Sequence, residues 1–395
     1  VPHRPAQVIL CGPFPEGGKI GGYARCNELI ATSFLDDIFG IERLPLTVPG
    51  PHSLLRRMAT DVAHAAACLR RHPAPVFHLT AQYLRGTPRE WTLFQMAKAA
   101  GKKVVYDIRA GNFVQHYEDP RTPLYRWMLA SMLRRADAIT VEGLPYARWL
   151  RDRWAREAVW VPNFVRATDC AQIAPAPLTR PSAGEPCEVV YVGRFVRGKG
   201  IEETLQACQQ LLAEGLAVRV HLVGGGDAAD EARLRHQAAQ LPEGAVVFHG
   251  TLDHRGVLEL LRRCHIFSFA SSWPGEGHAN AINEAMQAGL AIVTTRQGFL
   301  GDVVTPACGM VLDEASTSAV AAALRTLLAD WPRLQAAGAA ARARVIERYV
   351  DEVVLRDLGN VYAKLLGRSD AYAATPRLAP AAETPPVMPR VLPPS

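Results

Sequence analysis

Short apolar runs recur along the chain, separated by stretches whose apolar residues repeat at helical spacing. In the first half the runs are Gln7–Cys11, Ile41–Leu46, Val76–Thr80, Lys103–Ile108, Asp137–Val141 and Ala158–Pro162. Helical spacing appears from Gly22 and near 52–71, 88–100, 122–135 and 143–153. Runs that are apolar throughout suit strands buried on both faces, and their alternation with helices predicts a parallel, doubly wound sheet. Pro162 to Pro186 is proline-rich and aperiodic, which places a linker over 163–186. A second series follows, with strand-like CEVVYVG, AVRVHLVGGG, AVVFHG, Ile266–Ala270 and Leu290–Thr294. Helices are predicted near 200–214, 228–240, 253–263, 280–288, 316–328 and 332–348. The expected organisation is a domain over 1–162, a second over 187–350, a C-terminal helix over 351–367, and a Pro/Ala-rich disordered tail over 368–395.

Composition fits two full cores: 395 residues, 49% hydrophobic and 21% charged, with mean hydropathy near zero. No apolar run approaches the ~20 residues that span a bilayer. Eight scattered cysteines without a C-x-x-C pair read as reduced thiols, with Cys11, Cys187 and Cys264 as small core residues. The net charge of +6 is uneven, because residues 1–180 hold 24 Lys and Arg against 15 Asp and Glu. Arg pairs at 56–57, 70–71 and 134–135 lie on amphipathic stretches such as LYRWMLASMLRR, a surface suited to anionic lipid or an anionic acceptor. Plain solubilising charge explains the same residues equally well. Nucleic acid is not expected, since no aromatic residues interleave with the basic ones in a known module.

Candidate chemistry concentrates in Phe267–Thr295, a strand, a Pro/Gly loop, a helix and a second strand. The loop brings unpaired N–H groups and a helix N-terminus together, and Gly277 lets an anion approach. Glu276 in the loop and Glu284 in the helix are too far apart around the axis to form one clamp, so they touch different parts of one ligand; Asn280 shares the face of Glu284. Arg194 and Lys199, in VGRFVRGKG, follow the first strand of the second series. In a parallel sheet they reach the same edge, where a guanidinium and an ammonium bind a pyrophosphate. The loop after the first strand of the chain carries Gly17 and Gly18 at a helix start, but neither a P-loop nor G-x-G-x-x-G is present. Asp107 and Arg109 stand at the end of the fourth strand, where ligands or a structural ion pair are equally expected. No metal site is expected, for the chain has neither D-x-D nor H-E-x-x-H.

These motifs together resemble the retaining glycosyltransferases of the GT-B fold, group 1 (family 4). The likeness rests on Gly17 and Gly18, VGRFVRGKG, the VGGGD and FHG turns, and the E-x7-E of Glu276 and Glu284; EGHANAINEAM is like the form in capsule, exopolysaccharide and lipopolysaccharide enzymes. It covers about residues 7–367 and implies two Rossmann-like domains facing a cleft, the first binding an acceptor and the second a nucleotide-sugar donor. By this resemblance Arg194 and Lys199 hold the donor diphosphate with N–H groups near Asn280 and Ala281, Glu284 meets the ribose, and Glu276 the transferred sugar. His249 and Gly250 line the base pocket. Where the family often has a histidine this chain has Asp107, and Arg109 is the candidate for an acceptor phosphate. The implied activity is metal-independent transfer of a sugar, without a cofactor, to a glycan or lipid-linked acceptor, in the cytoplasm or on the inner face of the plasma membrane. A nucleotide-sugar 2-epimerase and a non-catalytic sugar-nucleotide-binding subunit are the alternatives.

Overall fold

The computed structural model describes residues 5–15, 21–46, 53–81, 86–172, 178–182 and 184–368. The chain forms two compact units, one ending at Phe164 and regaining the chain from Asp351, the other running from Val165 to Val350. Gly17, Gly18 and the Pro/Ala-rich tail beyond residue 368 lie outside the described residues.

In the first unit, strands β1 (Val8–Gly12), β2 (Ile41–Pro45), β3 (Val76–Ala81), β4 (Lys103–Ile108), β5 (Ala138–Val141) and β6 (Val159–Trp160) form one sheet in the order β2-β1-β3-β4-β5-β6. Every pairing is parallel; Val8, for example, lies opposite both Ile41 and Val76. β1 and β3 are buried along their whole length, as continuous apolar runs require when helices cover both faces. The helix Asp351–Leu365 belongs to this unit: Val354, Leu355, Leu358 and Tyr362 join Leu10, Phe39 and Val105 in one core.

The second unit repeats the plan with β7 (Cys187–Val192), β8 (Val218–Val223), β9 (Val246–Gly250), β10 (Ile266–Phe269), β11 (Ala291–Thr295) and β12 (Gly309–Leu312), in the order β12-β11-β10-β7-β8-β9 and again all parallel. The chain builds outward from β7 to β9, then crosses back to place β10 on the other flank of β7. The reversal falls between β7 and β10, and open α/β sheets bind ligands beyond the C-terminal ends of strands at such a point. Within the stretch expected to be a linker, Val165 pairs with Val350 and residues 167–172 form a helix of this unit. All eight cysteines are free thiols; Cys11, Cys187 and Cys264 are core residues, and burial pushes each thiol well above its ordinary value.

Candidate functional site

Two loops meet at the reversal point of the second sheet. The first leaves β7 and turns through Gly198 and Gly200 into the helix Ile201–Ala213. Gly200 has φ +82° and lies against Ala270, so that a Cβ would sit 2.5 Å from the Ala270 carbonyl oxygen; only glycine fits. This tight approach delivers Lys199 to the loop that leaves β10. Ser272 N–H donates to the Gly198 carbonyl at 2.8 Å and locks the two loops together.

Lys199 Nζ reaches Glu276 Oε2 at 2.7 Å, with only 8% of the lysine and 5% of the glutamate exposed. Ser271 Oγ donates to the same carboxylate oxygen at 2.5 Å. The ammonium also stands over the rings of Phe269 and Trp273, at 5.6 and 6.0 Å from their centroids. A buried ammonium that shares its charge between one carboxylate and two aromatic faces retains attraction for a further anion.

The glutamate loop is braced from its far side. Thr295 Oγ1 donates to the Ser271 carbonyl, Gln297 Nε2 to that of Trp273, and Gly298 packs against the Glu276 backbone. The loop then enters the helix Asn280–Ala288, whose N-cap is Ala279. Alanine has no side-chain acceptor, so this helix begins without a side-chain cap, and its positive end faces the loop. Gly277, Asn280 and Ala281 are partly exposed around that end. His278 is buried against Tyr349 and hydrogen-bonded to Asn283 at 2.9 Å, which holds the first turn in place.

Glu284 stands one turn further along that helix and belongs to a separate contact. Its Oε1 lies 3.3 Å from His254 Nδ1, and His254 Nε2 lies 3.1 Å from Asp169 Oδ2. Arg194 is exposed on the turn after β7, its carbonyl accepting the Tyr191 hydroxyl. Among the described residues no hydrogen bond or ion pair joins Arg194 or Glu284 to the Lys199–Glu276 pair. The four charges thus comprise one tight pair and two separate members on elements leaving the same sheet edge. Ser271, His254 and Asp169 were not read from the sequence; a lone Ser, His or Asp carries no spacing signal.

Two expectations change. Asp107 and Arg109, expected to meet an acceptor, are completely buried and bound to each other, Nε to Oδ2 at 2.5 Å. Thr140 donates to Asp107 at 2.7 Å, His78 lies 3.4 Å away, and Arg109 reaches Asn163 at 3.0 Å. Burial alone raises the Asp107 carboxyl, but the Arg109 charge with the His78 and Thr140 contacts outweighs it and holds the group well below the usual carboxylate range. Completely buried and bound to each other, they form a structural ion pair. Beside this turn is a cavity of about 10 Å³, the size of one water, bordered by Glu90, Tyr106 and His116. His249, expected at the base pocket, has its Nε2 2.9 Å from His221 Nδ1, and His221 continues to Glu188 at 2.9 Å. Burial, then the neighbouring His221, lowers the His249 pKa. Gly250, the last residue of β9, is exposed.

Among the described residues no group of three or more His, Cys, Asp or Glu is placed to hold a metal ion, and no helix is long and apolar enough to cross a membrane.

Comparison with known proteins adds an independent line. Residues 180–344 match the family model for glycosyl transferases group 1. A chain of Escherichia coli K12 named for colanic acid biosynthesis, the glycosyltransferase WcaL, is 25% identical over 266 residues, spanning 66% of this chain and 62% of its own length. The chain therefore spans about three fifths of that relative. Among solved structures, sucrose-phosphate synthase from Thermosynechococcus elongatus superposes with a TM-score of 0.71 at 22% identity, over 91% of this chain and 99% of that one. HepE of Anabaena, solved with UDP and glucose, gives 0.68 at 16% identity, over 91% and 99%. Two all-parallel six-stranded sheets, the strand-order reversal of the second, and these matches lead to one statement: residues 180–344 are similar to the group 1 glycosyl transferases, and the chain has the GT-B fold.

Proposed function

We propose that this protein transfers a sugar, with retention of anomeric configuration, from a nucleotide-sugar donor to a glycan or lipid-linked acceptor in the synthesis of a cell-surface polysaccharide. The observation that carries the reading is the buried Lys199–Glu276 pair at the reversal point of the second sheet, beside a helix N-terminus with no side-chain cap. The HepE structure, solved with UDP and glucose, and the name of WcaL agree in kind with this donor and product class.

In this mechanism the donor diphosphate lies against the helix at Asn280 and Ala281, with Gly277 admitting it, and takes Lys199 and Arg194 as counter-charges. Breaking the glycosidic bond gives the sugar oxocarbenium character while negative charge grows on the diphosphate. Lys199, Arg194 and the helix N-terminus meet that growing charge more strongly than the ground state, which is what lowers the barrier. Glu276 is freed from part of its hold on Lys199 as the phosphate arrives and turns to the sugar. Glu284 accepts the ribose hydroxyls, and Gly250 with His249 borders the base. The acceptor attacks from the face that the diphosphate leaves, and the departing phosphate oxygen takes its proton. Neither a covalent sugar nor a cofactor enters the scheme.

The test uses purified protein with UDP-, GDP- and ADP-sugars, read as thermal stabilisation and slow donor hydrolysis. One sugar nucleotide should raise the melting temperature by mass action. Lys199→Ala, verified as folded by circular dichroism, should lower turnover about 10²- to 10³-fold, the typical loss of one preorganised donor to developing negative charge. Turnover near that of the wild type in the folded variant, or no response to any nucleotide sugar, would contradict the assignment.

A further inference from the structure

The contact at Glu284 involves three distant parts of the second unit. His254 is the first residue of the helix His254–Leu261, and Asp253, its N-cap, fixes that start by accepting the Gly256 N–H at 2.7 Å. Asp169 comes from the helix Ala167–Gln172. The ring stands between the two carboxylates, Nδ1 at 3.3 Å from Glu284 and Nε2 at 3.1 Å from Asp169. All three side chains are partly buried, with 15% of Glu284, 33% of His254 and 22% of Asp169 exposed. A neutral imidazole has one N–H, whereas each nitrogen here faces an acceptor oxygen. Both contacts are satisfied together only when the ring carries both protons and its charge is shared by the two acids. Glu284 Oε2 makes no hydrogen bond among the described residues and is the oxygen left for a ligand.

From this geometry we infer that His254, steered by Asp169, is a positioning residue that holds the Glu284 carboxylate in the orientation needed to accept the two hydroxyls of a nucleotide ribose. The inference rests on the donor reading given above for Glu284. A glutamate on a partly exposed helix face ordinarily samples several rotamers, and freezing it at the moment of binding weakens the complex. The imidazole removes that freedom beforehand. The argument applies to ribose alone: a ligand that offers only phosphate gains nothing from an ordered Glu284.

The experiment measures binding of UDP, GDP and ADP, of inorganic pyrophosphate, and of the 2′,3′-dideoxy form of whichever nucleotide binds, to the full chain and to four variants. His254→Ala should weaken the nucleoside diphosphate roughly 10-fold or more, the usual range for losing a hydrogen bond to a charged group. It should leave pyrophosphate and the dideoxy nucleotide unchanged. His254→Asn, whose amide N–H occupies the place of Nδ1, should restore most of the affinity, and Asp169→Asn should give an intermediate loss. Glu284→Ala separates the two levels of the argument. If Glu284→Ala weakens the nucleotide while His254→Ala, with an unchanged melting temperature, does not, the positioning role is wrong and the donor site stands. If neither variant alters nucleotide affinity, both fail. Equal weakening of pyrophosphate and nucleotide by His254→Ala would show a general disturbance of the site and would also overturn the positioning role.

Discussion

Buried charges in this chain fall into two kinds, separated by what their neighbours leave unfinished. Lys199 is held by one carboxylate and two ring faces at a place where a helix begins without a side-chain cap, so an arriving anion finds a receptive site. Asp107 has the opposite situation, because Arg109, Thr140 and His78 already satisfy it in the interior. Removing one member of such a pair strands the other, at a typical cost of 3–5 kcal/mol. Arg109→Met should therefore lower stability by roughly that amount, measured by urea denaturation. Asp107→Asn carries a pH signature. Burial raises and Arg109 lowers the folded carboxyl, with a net depression, so its stabilisation is complete above the unfolded value of about 4 and is lost as the pH falls toward the folded value. The stability gap between wild type and Asp107→Asn should be wide at pH 7 and narrow steadily below about pH 4. A gap that stays constant would mean that charge plays no part in the contact. From the sequence Asp107 and Arg109 looked equally like a ligand site or an ion pair, since both readings place them at the end of a strand. Their complete burial against each other decides between the readings, and burial at a strand end is not encoded in local spacing.

At the scale of elements, the long and strongly periodic segments were legible. Eleven of the strands follow apolar runs, and central ones such as β1, β3 and β11, buried on both faces, have no alternation to disguise them. The pieces that escaped are short: β12 and the helix Leu300–Val303 with four residues each, and the helices Phe34–Phe39, Phe113–Glu118 and Ala167–Gln172 with six each. Six residues make less than two turns, too few for helical periodicity to exceed chance. Loops carry the site, and Gly298 shows how closely one is set. Its φ is +59°, and a Cβ would lie 2.0 Å from the Glu276 carbonyl oxygen. Gly298→Ala should push the Glu276 loop away from Lys199 and reduce transfer by about 10²-fold, the usual cost of a 1 Å misplacement, while the melting curve changes much less. The helix Pro123–Arg135 supports a different prediction. It contains no acid, Leu124 and Trp127 are 60% and 55% exposed, and Arg134 and Arg135 are exposed at its C-terminal end. Tryptophan and leucine flanked by arginines suit the surface of an anionic bilayer, each arginine adding about 1 kcal/mol there. The protein should co-sediment with vesicles containing phosphatidylserine and not with neutral ones, and Leu124→Ser with Trp127→Ser should abolish the difference. Equal recovery with both vesicle types would argue against a lipid-facing helix.

For the whole molecule, the sequence pattern shows two series of strands but not where the last helix packs. An amphipathic helix at the end of a chain displays the same spacing whichever core it covers. The structure assigns Asp351–Leu365 to the first unit, on the far side in sequence from the 186 residues of the second. Its Val354, Leu355, Leu358 and Tyr362 are almost fully buried with Leu10, Phe39 and Val105, and Tyr362 hydrogen-bonds the buried His78 at 2.6 Å. Burying one such side chain is worth about 1.5–3 kcal/mol, so four amount to roughly 6–12 kcal/mol. Whole domains are stable by only about 5–15 kcal/mol. A chain ending at Val350 should therefore lose the cooperative unfolding of the first unit while retaining that of the second. Calorimetry of this truncated chain should show a single transition, at the temperature where the intact protein unfolds its second unit. Limited proteolysis should then cut within residues 5–164 and spare 165–350. Supplying residues 351–368 as a separate peptide tests the same energetics from the other direction, since binding that restores the missing transition identifies the helix as a structural part of the first unit. If the truncated chain keeps both transitions unshifted, the core formed by these four side chains contributes far less than its burial implies.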